Sequence, residues 1–133
     1  MSADKILLIE PDRPLGKIYQ AALTDAGFSV SLKSTAQTAL KALDESIPDL
    51  IILEPQLTKH SGIEFLYELR SYTDWQSIPV ILHSMIPAEA LLQMQSSLEQ
   101  LGVTSHFYKP QTSLNQLVSA VSLELSLARS MSK

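Results

Sequence analysis

Four polar residues of this sequence each stand at the end of a short apolar segment, where a buried strand would end. They are Glu10, Glu54, Ser84 and Lys109. In an open parallel sheet, ligands bind outside the carboxyl ends of the strands. Two acids, a hydroxyl and a lysine at that edge could form ion pairs and hydrogen bonds with one another or with a ligand. The sequence therefore predicts one polar site at one edge of a sheet.

The segments that lead to these residues have the patterns of strands. Continuous apolar runs at residues 6–9, 50–53 and 80–82 are typical of strands buried on both faces. Apolar and polar residues alternate over residues 28–33, which predicts a half-exposed edge strand. Residues 106–108 form a short fifth candidate.

Helical patterns fill the gaps between the predicted strands. Apolar residues recur three or four apart in five stretches: residues 15–26, 36–43, 63–69, 91–101 and 114–125. Ile18 in the first stretch and Leu114 in the last are predicted to face the core. Five strand–helix units in this order predict an α/β fold with a five-stranded parallel sheet and helices on both faces. We expect one domain over residues 1–128 and a frayed tail over residues 129–133.

Composition limits the classes of function. The chain has 133 residues, which fits one core, and a net charge of −4, which argues against nucleic acid as a partner. It has no cysteine, so disulfides and thiolate metal sites are excluded. No apolar run is long enough to cross a membrane, and the first residues do not resemble a signal peptide. A cytoplasmic protein without a membrane or nucleic-acid partner is expected.

Five short motifs resemble the receiver domain of two-component response regulators, which has the flavodoxin-like, doubly wound architecture. In order they are residues 8–12, residues 49–54, the spacing from Glu54 to Gly62, residues 78–81 leading to Ser84, and Lys109-Pro110. The resemblance covers nearly the whole chain without a gap. It implies that Glu10 is the first acid of the site, Glu54 holds the phosphoacceptor position, and Ser84 and Lys109 are switch residues.

The sequence also departs from the receiver pattern at three positions. The second acid of the family falls on Pro11, which has no side-chain oxygen, and Asp12 is one residue late. The acceptor position holds Glu54 instead of aspartate, and the aromatic switch position holds His106. Mg²⁺ demands near-octahedral oxygen ligands, so we expect magnesium binding to be weak or absent. Asp12 is instead predicted to cap the first helix.

The resemblance and its departures together predict an atypical receiver that is not an enzyme. In this interpretation Lys109 pairs with Glu54, Ser84 donates a hydrogen bond to it, and the domain acts by contacts with other signalling proteins. Two alternatives stay open: a receiver that accepts phosphate on Glu54 or a nearby acid, and a small enzyme that uses the acidic edge. No nucleophile–base pair supports the enzyme.

The last helix carries a second apolar stripe opposite its core-facing residues. The stripe contains Ala120, Leu123, Leu127 and Met131. In the family, the fourth and fifth helices and the fifth strand often form dimer or target interfaces, so the stripe predicts a partner surface and a homodimer through these elements. The alternative is a frayed C-terminal turn.

Simpler interpretations exist for the acids and the histidines. Glu10 and Glu54 could be solvated acids at the starts of loops. His60, His83 and His106 lack the close spacing of metal ligands, so no metal site is predicted from them.

Overall fold

A sheet of five parallel strands forms the centre of this computed structural model, which describes residues 3–57 and 61–131. The strand order is β2-β1-β3-β4-β5. The strands are β1 (Lys5–Ile9), β2 (Ser29–Lys33), β3 (Leu50–Leu53), β4 (Val80–Ser84) and β5 (Val103–Tyr108). This confirms the predicted parallel sheet with β2 at one edge, and β5 begins earlier than residue 106.

Helices cover both faces of the sheet. Within the described part of the chain they are α1 (Arg13–Asp25), α2 (Ala36–Glu45), α3 (Gly62–Ser71), α4 (Ala88–Leu91), α5 (Gln95–Gln100) and α6 (Leu114–Met131), with 3₁₀ turns at Thr73–Trp75, Leu92–Met94 and Lys109–Gln111. Buried residues of α2 to α5 pack on one face. Those of α1 and α6 pack on the other, which gives the predicted three layers.

Apolar cores on the two faces hold the strands in place. All four residues of β3 are completely buried. Burying a leucine or isoleucine side chain stabilises a fold by about 1.5–3 kcal/mol. The central strands therefore provide a rigid platform for the residues that follow them at the carboxyl edge.

A half-buried arginine joins two loops at the opposite end of the strands. The guanidinium of Arg70 donates hydrogen bonds of 2.7 Å to the carbonyls of Leu101, Trp75 and Ile78. Gly102 lies against it with a φ of +79°, and a Cβ at this glycine would approach Nη2 of Arg70 to 2.3 Å. Burial lowers the pKa of Arg70, and the carbonyl groups satisfy the donors of its side chain.

The stretch predicted as one helix over residues 91–101 is broken in the structure. It consists of the end of α4, the 3₁₀ turn Leu92–Met94 and α5. The predicted apolar positions Leu91 and Leu98 are buried, so the stripe was identified correctly. Among the described residues no side chain caps the start of α4 or of α5, and apolar spacing alone does not distinguish an α-helix from a 3₁₀ turn.

Three apolar residues were assigned to the wrong face. Ile18 is 50% exposed and Leu114 40% exposed, although both were predicted to face the core, whereas Ala120 is buried and not part of an outer stripe. In α1 the backbone of Gly16 makes the close contact with β2, because a Cβ there would lie 2.9 Å from Leu32. Ile18 lies two residues beyond Gly16, which is about 200° around the helix axis, and therefore faces outward.

The chain end is more ordered than predicted. The final helix continues through Met131, so residues 129–131 of the predicted tail are helical. Arg129 pairs with Asp4, next to the start of β1. Residues 132 and 133 lie outside the described residues. Within residues 3–57 and 61–131, no helix has the length and apolar character needed to span a membrane.

Candidate functional site

Two glutamates lie side by side at the carboxyl edge of the sheet. Glu54 directly follows β3, and its backbone N–H donates to the carbonyl of Ile9 in β1 at 3.0 Å. Glu10 directly follows β1, and its backbone N–H donates to the carbonyl of Lys33 in β2 at 2.9 Å. The parallel ladder therefore fixes both residues at adjacent strand ends, as the sequence predicts.

Lys109 brings its ammonium group to both carboxylates. Its Nζ lies 2.6 Å from Oε1 of Glu10 and 3.6 Å from Oε2 of Glu54. The lysine begins the 3₁₀ turn after β5, so its side chain reaches past the ends of β4 and β3. The predicted pairing with Glu54 is present, but the closer contact, with Glu10, was missed. We call Glu10, Glu54 and Lys109 the acid–lysine cluster.

The acid–lysine cluster is buried. Glu10 is 2% exposed, Glu54 is 4% exposed and the side chain of Lys109 is 6% exposed. The interpretation of both glutamates as solvated loop acids is therefore wrong. Buried charges persist only when they are paired, because removal from water is unfavourable. Lys109 supplies that pairing for both acids.

The surroundings of Glu54 raise the pKa of its carboxyl group above the usual value. Burial raises the pKa of Glu54, and the charge of Glu10 raises it further, whereas Lys109 and the backbone of Met85 act in the opposite direction. Among the described residues, Oε2 of Glu54 has no hydrogen-bond partner. One lysine shared between two carboxylates leaves one excess negative charge inside the protein.

Ser84 is completely buried at the end of β4, the strand beside β3. Its hydroxyl accepts a hydrogen bond of 2.8 Å from the backbone N–H of Ile86. Among the hydrogen bonds of the described residues, none runs from this hydroxyl to Glu54, so the predicted donation is absent. The hydroxyl therefore stabilises the turn of the loop after β4, in which Ile86 lies two residues beyond Ser84.

Asp12 caps α1, as predicted. Its Oδ1 accepts a hydrogen bond of 3.1 Å from the backbone N–H of Leu15. Its own N–H donates to Oε2 of Glu10 at 3.1 Å, which gives that carboxylate a second partner. The backbone N–H of Asp12 thus stabilises the carboxylate of Glu10, while the side-chain carboxylate of Asp12 caps α1.

A glycine shapes the loop that follows Glu54. The N–H of Gly62 donates to the carbonyl of Pro55 at 2.7 Å. A Cβ at Gly62 would lie 2.5 Å from Cα of Pro55, so no side chain fits there. The spacing from Glu54 to this glycine therefore reflects a close backbone approach that starts α3.

Sequence reasoning did not place His83 and Tyr19 in the site. The ring of Tyr19 meets the ring of His83 edge-on, with centroids 4.6 Å apart. Burial lowers the pKa of His83 to about 4, and the charge of Lys109 contributes. Burial and the charges of Glu10, Asp12 and Glu54 raise the pKa of Tyr19. The sequence feature that could have identified His83 is its position as a histidine after three apolar residues of β4.

His106 lies in β5 opposite Leu82 of β4. Its Nε2 is buried and has no hydrogen-bond partner among the described residues. Burial lowers the pKa of His106, and a hydrogen bond with the backbone of Ile86 partly opposes this. Ser84 and His106 therefore both contact the same residue, Ile86, of the loop after β4.

The predicted partner stripe on α6 is narrower than expected. Leu123 is 59% exposed and Leu127 is 47% exposed, one helical turn apart, whereas Ala120 is buried in the core. The side chain of Met131, also predicted in the stripe, lies outside those that the structure describes. The two exposed leucines therefore remain as the candidate interface.

A divalent cation does not fit the acid–lysine cluster as its side chains stand. Pro11 offers no side-chain oxygen, Asp12 is committed to the helix cap, and Nζ of Lys109 lies between the two remaining carboxylates. Among residues 3–57 and 61–131, no three histidine or acidic side chains are grouped so that they could hold a metal ion. His60 lies outside the described residues.

Comparisons with known protein sequences identify a family and several relatives of this chain. The Response regulator receiver domain family matches residues 6–122. The transcriptional regulatory protein QseB of Haemophilus influenzae is 32% identical over 106 residues, which are 80% of this chain and 46% of QseB. CpxR of Klebsiella pneumoniae, also a transcriptional regulatory protein, is 39% identical over 67 residues, which are 50% of this chain and 28% of CpxR. The chain thus spans less than half the length of these relatives.

Solved structures show the same fold. The signal receiver domain of a signal transduction histidine kinase from Syntrophus aciditrophicus has a TM-score of 0.80 and 26% identity, and the match covers 93% of this chain and 91% of that one. A CheY-like response regulator receiver domain protein from Methanospirillum hungatei has a TM-score of 0.86 and 17% identity, covering 98% and 99% of the two chains. The chain belongs to the response regulator receiver domain family.

Proposed function

We propose that this chain is an atypical receiver domain that signals through protein–protein contacts and is not phosphorylated in the magnesium-dependent way. The observation that carries the proposal is the position of Lys109, whose Nζ pairs with Glu10 at 2.6 Å and approaches Glu54 at 3.6 Å. Membership of the receiver family implies signalling partners and indicates no enzyme. The transcriptional role in the names of QseB and CpxR is said of those longer proteins.

The ligand set argues against Mg²⁺ binding. Magnesium needs oxygen ligands at about 2.0–2.1 Å in near-octahedral geometry. The acid–lysine cluster offers two carboxylates, and both face an ammonium group that repels a second cation. A metal would have to displace Lys109 from a site where its side chain is 6% exposed.

The acceptor position argues against phosphoryl transfer to Glu54. Glutamate is one methylene longer than aspartate, which displaces its oxygens by about 1 Å, and phosphoryl transfer depends on positioning and on metal ions that neutralise the developing charge. Oε2 of Glu54 points to Lys109, and Glu54 itself is 4% exposed. An incoming phosphoryl group would therefore meet a buried, already paired carboxylate.

The decisive experiment is incubation of the protein with acetyl phosphate and Mg²⁺, followed by intact-mass measurement. We expect no gain of a phosphoryl group and no stabilisation by beryllofluoride. The double variant Pro11→Asp/Glu54→Asp is the positive control, because it restores the two family aspartates. A mass gain in the wild type that disappears in Glu54→Ala would replace this proposal with a phosphate-accepting receiver.

We also propose that the exposed leucines of α6 contribute to the partner surface. Leu123 and Leu127 lie on one side of a helix whose opposite side packs Leu117, Val121 and Leu125 into the core. Two leucines exposed by about half on adjacent turns favour burial against another protein. A homodimer through this surface is the specific form of the proposal.

A further inference from the structure

We propose that the cavity between β5 and the helices α4 and α5 binds a small, neutral aromatic molecule that carries a hydrogen-bond donor. The cavity has a volume of about 340 Å³. It lies on the face of the sheet opposite α1 and α6, and no residue of the acid–lysine cluster lines it. The site does not depend on whether the receiver accepts phosphate, so it goes beyond the proposed function without resting on it.

Apolar side chains form the inner part of the cavity wall. Leu91 of α4 is 8% exposed and Leu98 of α5 is 5% exposed, and both belong to the core on this face of the sheet. Val103 of β5 packs against the same core, and all three residues line the cavity. Small-molecule sites are typically concave and mostly apolar, with volumes of about 300–1,000 Å³ and few polar groups. The size and the wall therefore favour a ring system of about the size of indole.

His106 gives this wall an unsatisfied hydrogen-bond acceptor. Its Nε2 is buried and has no hydrogen-bond partner among the described residues. The hydrogen bond with the backbone of Ile86 raises the pKa of the ring, so the ring donates to the carbonyl group, and it does so through its other nitrogen, Nδ1. Burial keeps the pKa of His106 below 6.5, so the ring is neutral at pH 7 and Nε2 is an acceptor. An N–H or O–H group of a ligand would satisfy it.

The charge beside the cavity disfavours an anionic ligand. Glu99 lines the cavity, and Nε2 of Gln95 donates to its Oε1 at 3.4 Å. Among the described residues that line the cavity, none is a lysine or an arginine. A carboxylate or a phosphate group would therefore meet a like charge without a counter-charge. A neutral molecule with one donor is the class that fits both the wall and its polar atom.

The outer wall of the cavity can adjust to an occupant. The helices α4 and α5 have four and six residues and are separated by a 3₁₀ turn. In the part of the chain that the structure describes, no side chain caps the start of either helix. Short helices without caps have little stability of their own and open at a low free-energy cost. Because Nε2 of His106 is closed to water, a small movement of this wall is what brings the donor of a ligand to it.

A titration of the ¹⁵N-labelled full chain with indole, followed by nuclear magnetic resonance, tests the proposal. We expect one site with a dissociation constant of about 1 mM or lower, with shifts of the amide signals of α5 and β5 and of Nε2 of His106. The probe 1-methylindole has the same rings but no N–H group. It should bind about fivefold more weakly and leave the Nε2 signal unshifted. The anion indole-3-acetate should also bind more weakly than indole.

Two exposed alanines of α4 provide a matched pair of variants. Ala88 lines the cavity, so Ala88→Trp should fill its mouth and abolish the binding of indole. Ala90 does not line the cavity, so Ala90→Trp should bind indole as the wild type does. The variant His106→Phe keeps a ring at this position but removes the acceptor. It should bind indole and 1-methylindole equally.

The absence of binding at about 10 mM indole would overturn the inference. Binding that survives in Ala88→Trp would also overturn it, because the probe would then lie elsewhere on the protein. Equal affinity of the wild type for indole and 1-methylindole would contradict the role of His106, and this comparison decides even if His106→Phe does not fold. None of these outcomes bears on phosphate acceptance, which the intact-mass measurement tests separately.

Discussion

The ring of Tyr19 packs edge-on against the ring of His83, with 4.6 Å between the centroids, close to the acid–lysine cluster. His83 is 2% exposed, and its Nδ1 has no hydrogen-bond partner among the described residues. Burial and the charge of Lys109 lower the pKa of His83 and so favour the neutral imidazole. The receiver thus contains a titratable group whose protonation opposes folding.

The first prediction concerns the acid sensitivity of the fold. Burial lowers the pKa of His83 from 6.5 to about 4, so the unfolded chain binds a proton more readily than the folded one between these values. Stability contributed by neutral His83 is present above pH 6.5 and is lost as the pH falls toward 4. This group should lower the free energy of unfolding by about 2 kcal/mol between about pH 7 and pH 5.

Urea denaturation of the wild type and of His83→Leu at both pH values measures this effect. The pKa of Glu54 is raised, so its titration stabilises the fold on acidification, but this contribution is common to both proteins and cancels in their difference. Equal pH dependence in the two proteins would show that His83 is not the responsible group.

The second prediction compares the lysine with one of its acids. Lys109→Met should lower the free energy of unfolding at neutral pH by about 3 kcal/mol, because it leaves two buried carboxylates without a counter-charge. Glu54→Gln should change it by less than about 1 kcal/mol or raise it, because Lys109 keeps its closer partner Glu10 and the excess charge is removed.

Chemical denaturation in the absence of divalent cations gives both values, with the exposed Lys17→Met as the matched control. The test is which of the two variants, Lys109→Met or Glu54→Gln, loses more free energy of unfolding, and not the exact size of either loss. A larger loss for Glu54→Gln than for Lys109→Met would contradict the assignment of Lys109 as the shared counter-charge.

The third prediction separates the two roles available to Asp12. Because its carboxylate caps α1, Asp12→Ala should destabilise the protein by about 1 kcal/mol, whereas Asp12→Asn should retain most of the stability. If Asp12 instead acted as a second metal acid, Asp12→Asn would abolish any cation response while leaving the cap in place. Denaturation with and without MgCl₂ distinguishes these outcomes.

The fourth prediction tests the α6 surface. Leu123→Glu should leave the melting temperature within about 2 °C of the wild type, because the side chain is 59% exposed. It should shift the sedimentation of a concentrated sample toward the monomer.

The matched control for the α6 surface is Tyr67→Glu. Tyr67 is 59% exposed, as Leu123 is, but it lies in α3, which packs on the other face of the sheet and outside the predicted interface. The control variant should sediment as the wild type does. Unchanged sedimentation and partner binding in Leu123→Glu would remove the α6 surface from consideration.

The sequence predicts the sheet well because a strand that is buried on both faces appears in the sequence as a continuous apolar run. Residues 50–53 are apolar throughout and form β3, with no exposed position. The half-exposed alternation around Val30 likewise marks β2 as an edge. Glu10 and Glu54 could be assigned to one site because each follows a buried apolar strand, and Lys109 because it follows the short fifth strand candidate.

Contacts within the site are less predictable. Strand order places β5 three positions from β1, and nothing in the spacing shows that Lys109 reaches Glu10 before Glu54. Ser84 has the expected position at the end of β4, but its hydroxyl accepts from the N–H of Ile86 and forms no hydrogen bond with Glu54 among the described residues. The buried face of α1 was also mispredicted. It includes Gly16, which has no apolar side chain and so does not appear in a pattern of apolar residues.

Arg70 places a positive charge at the amino ends of β4 and β5, whereas Lys109 places one at the carboxyl edge of the sheet. The guanidinium holds the turn before β4 and the turn before β5 to the end of α3, while Lys109 leaves β5 at the opposite end and crosses to β1. A cationic side chain therefore holds each end of β5, and Arg70 also holds the amino end of β4. Sliding of β5 along β4 would break hydrogen bonds of Arg70, so this side chain opposes relative movement of the two strands.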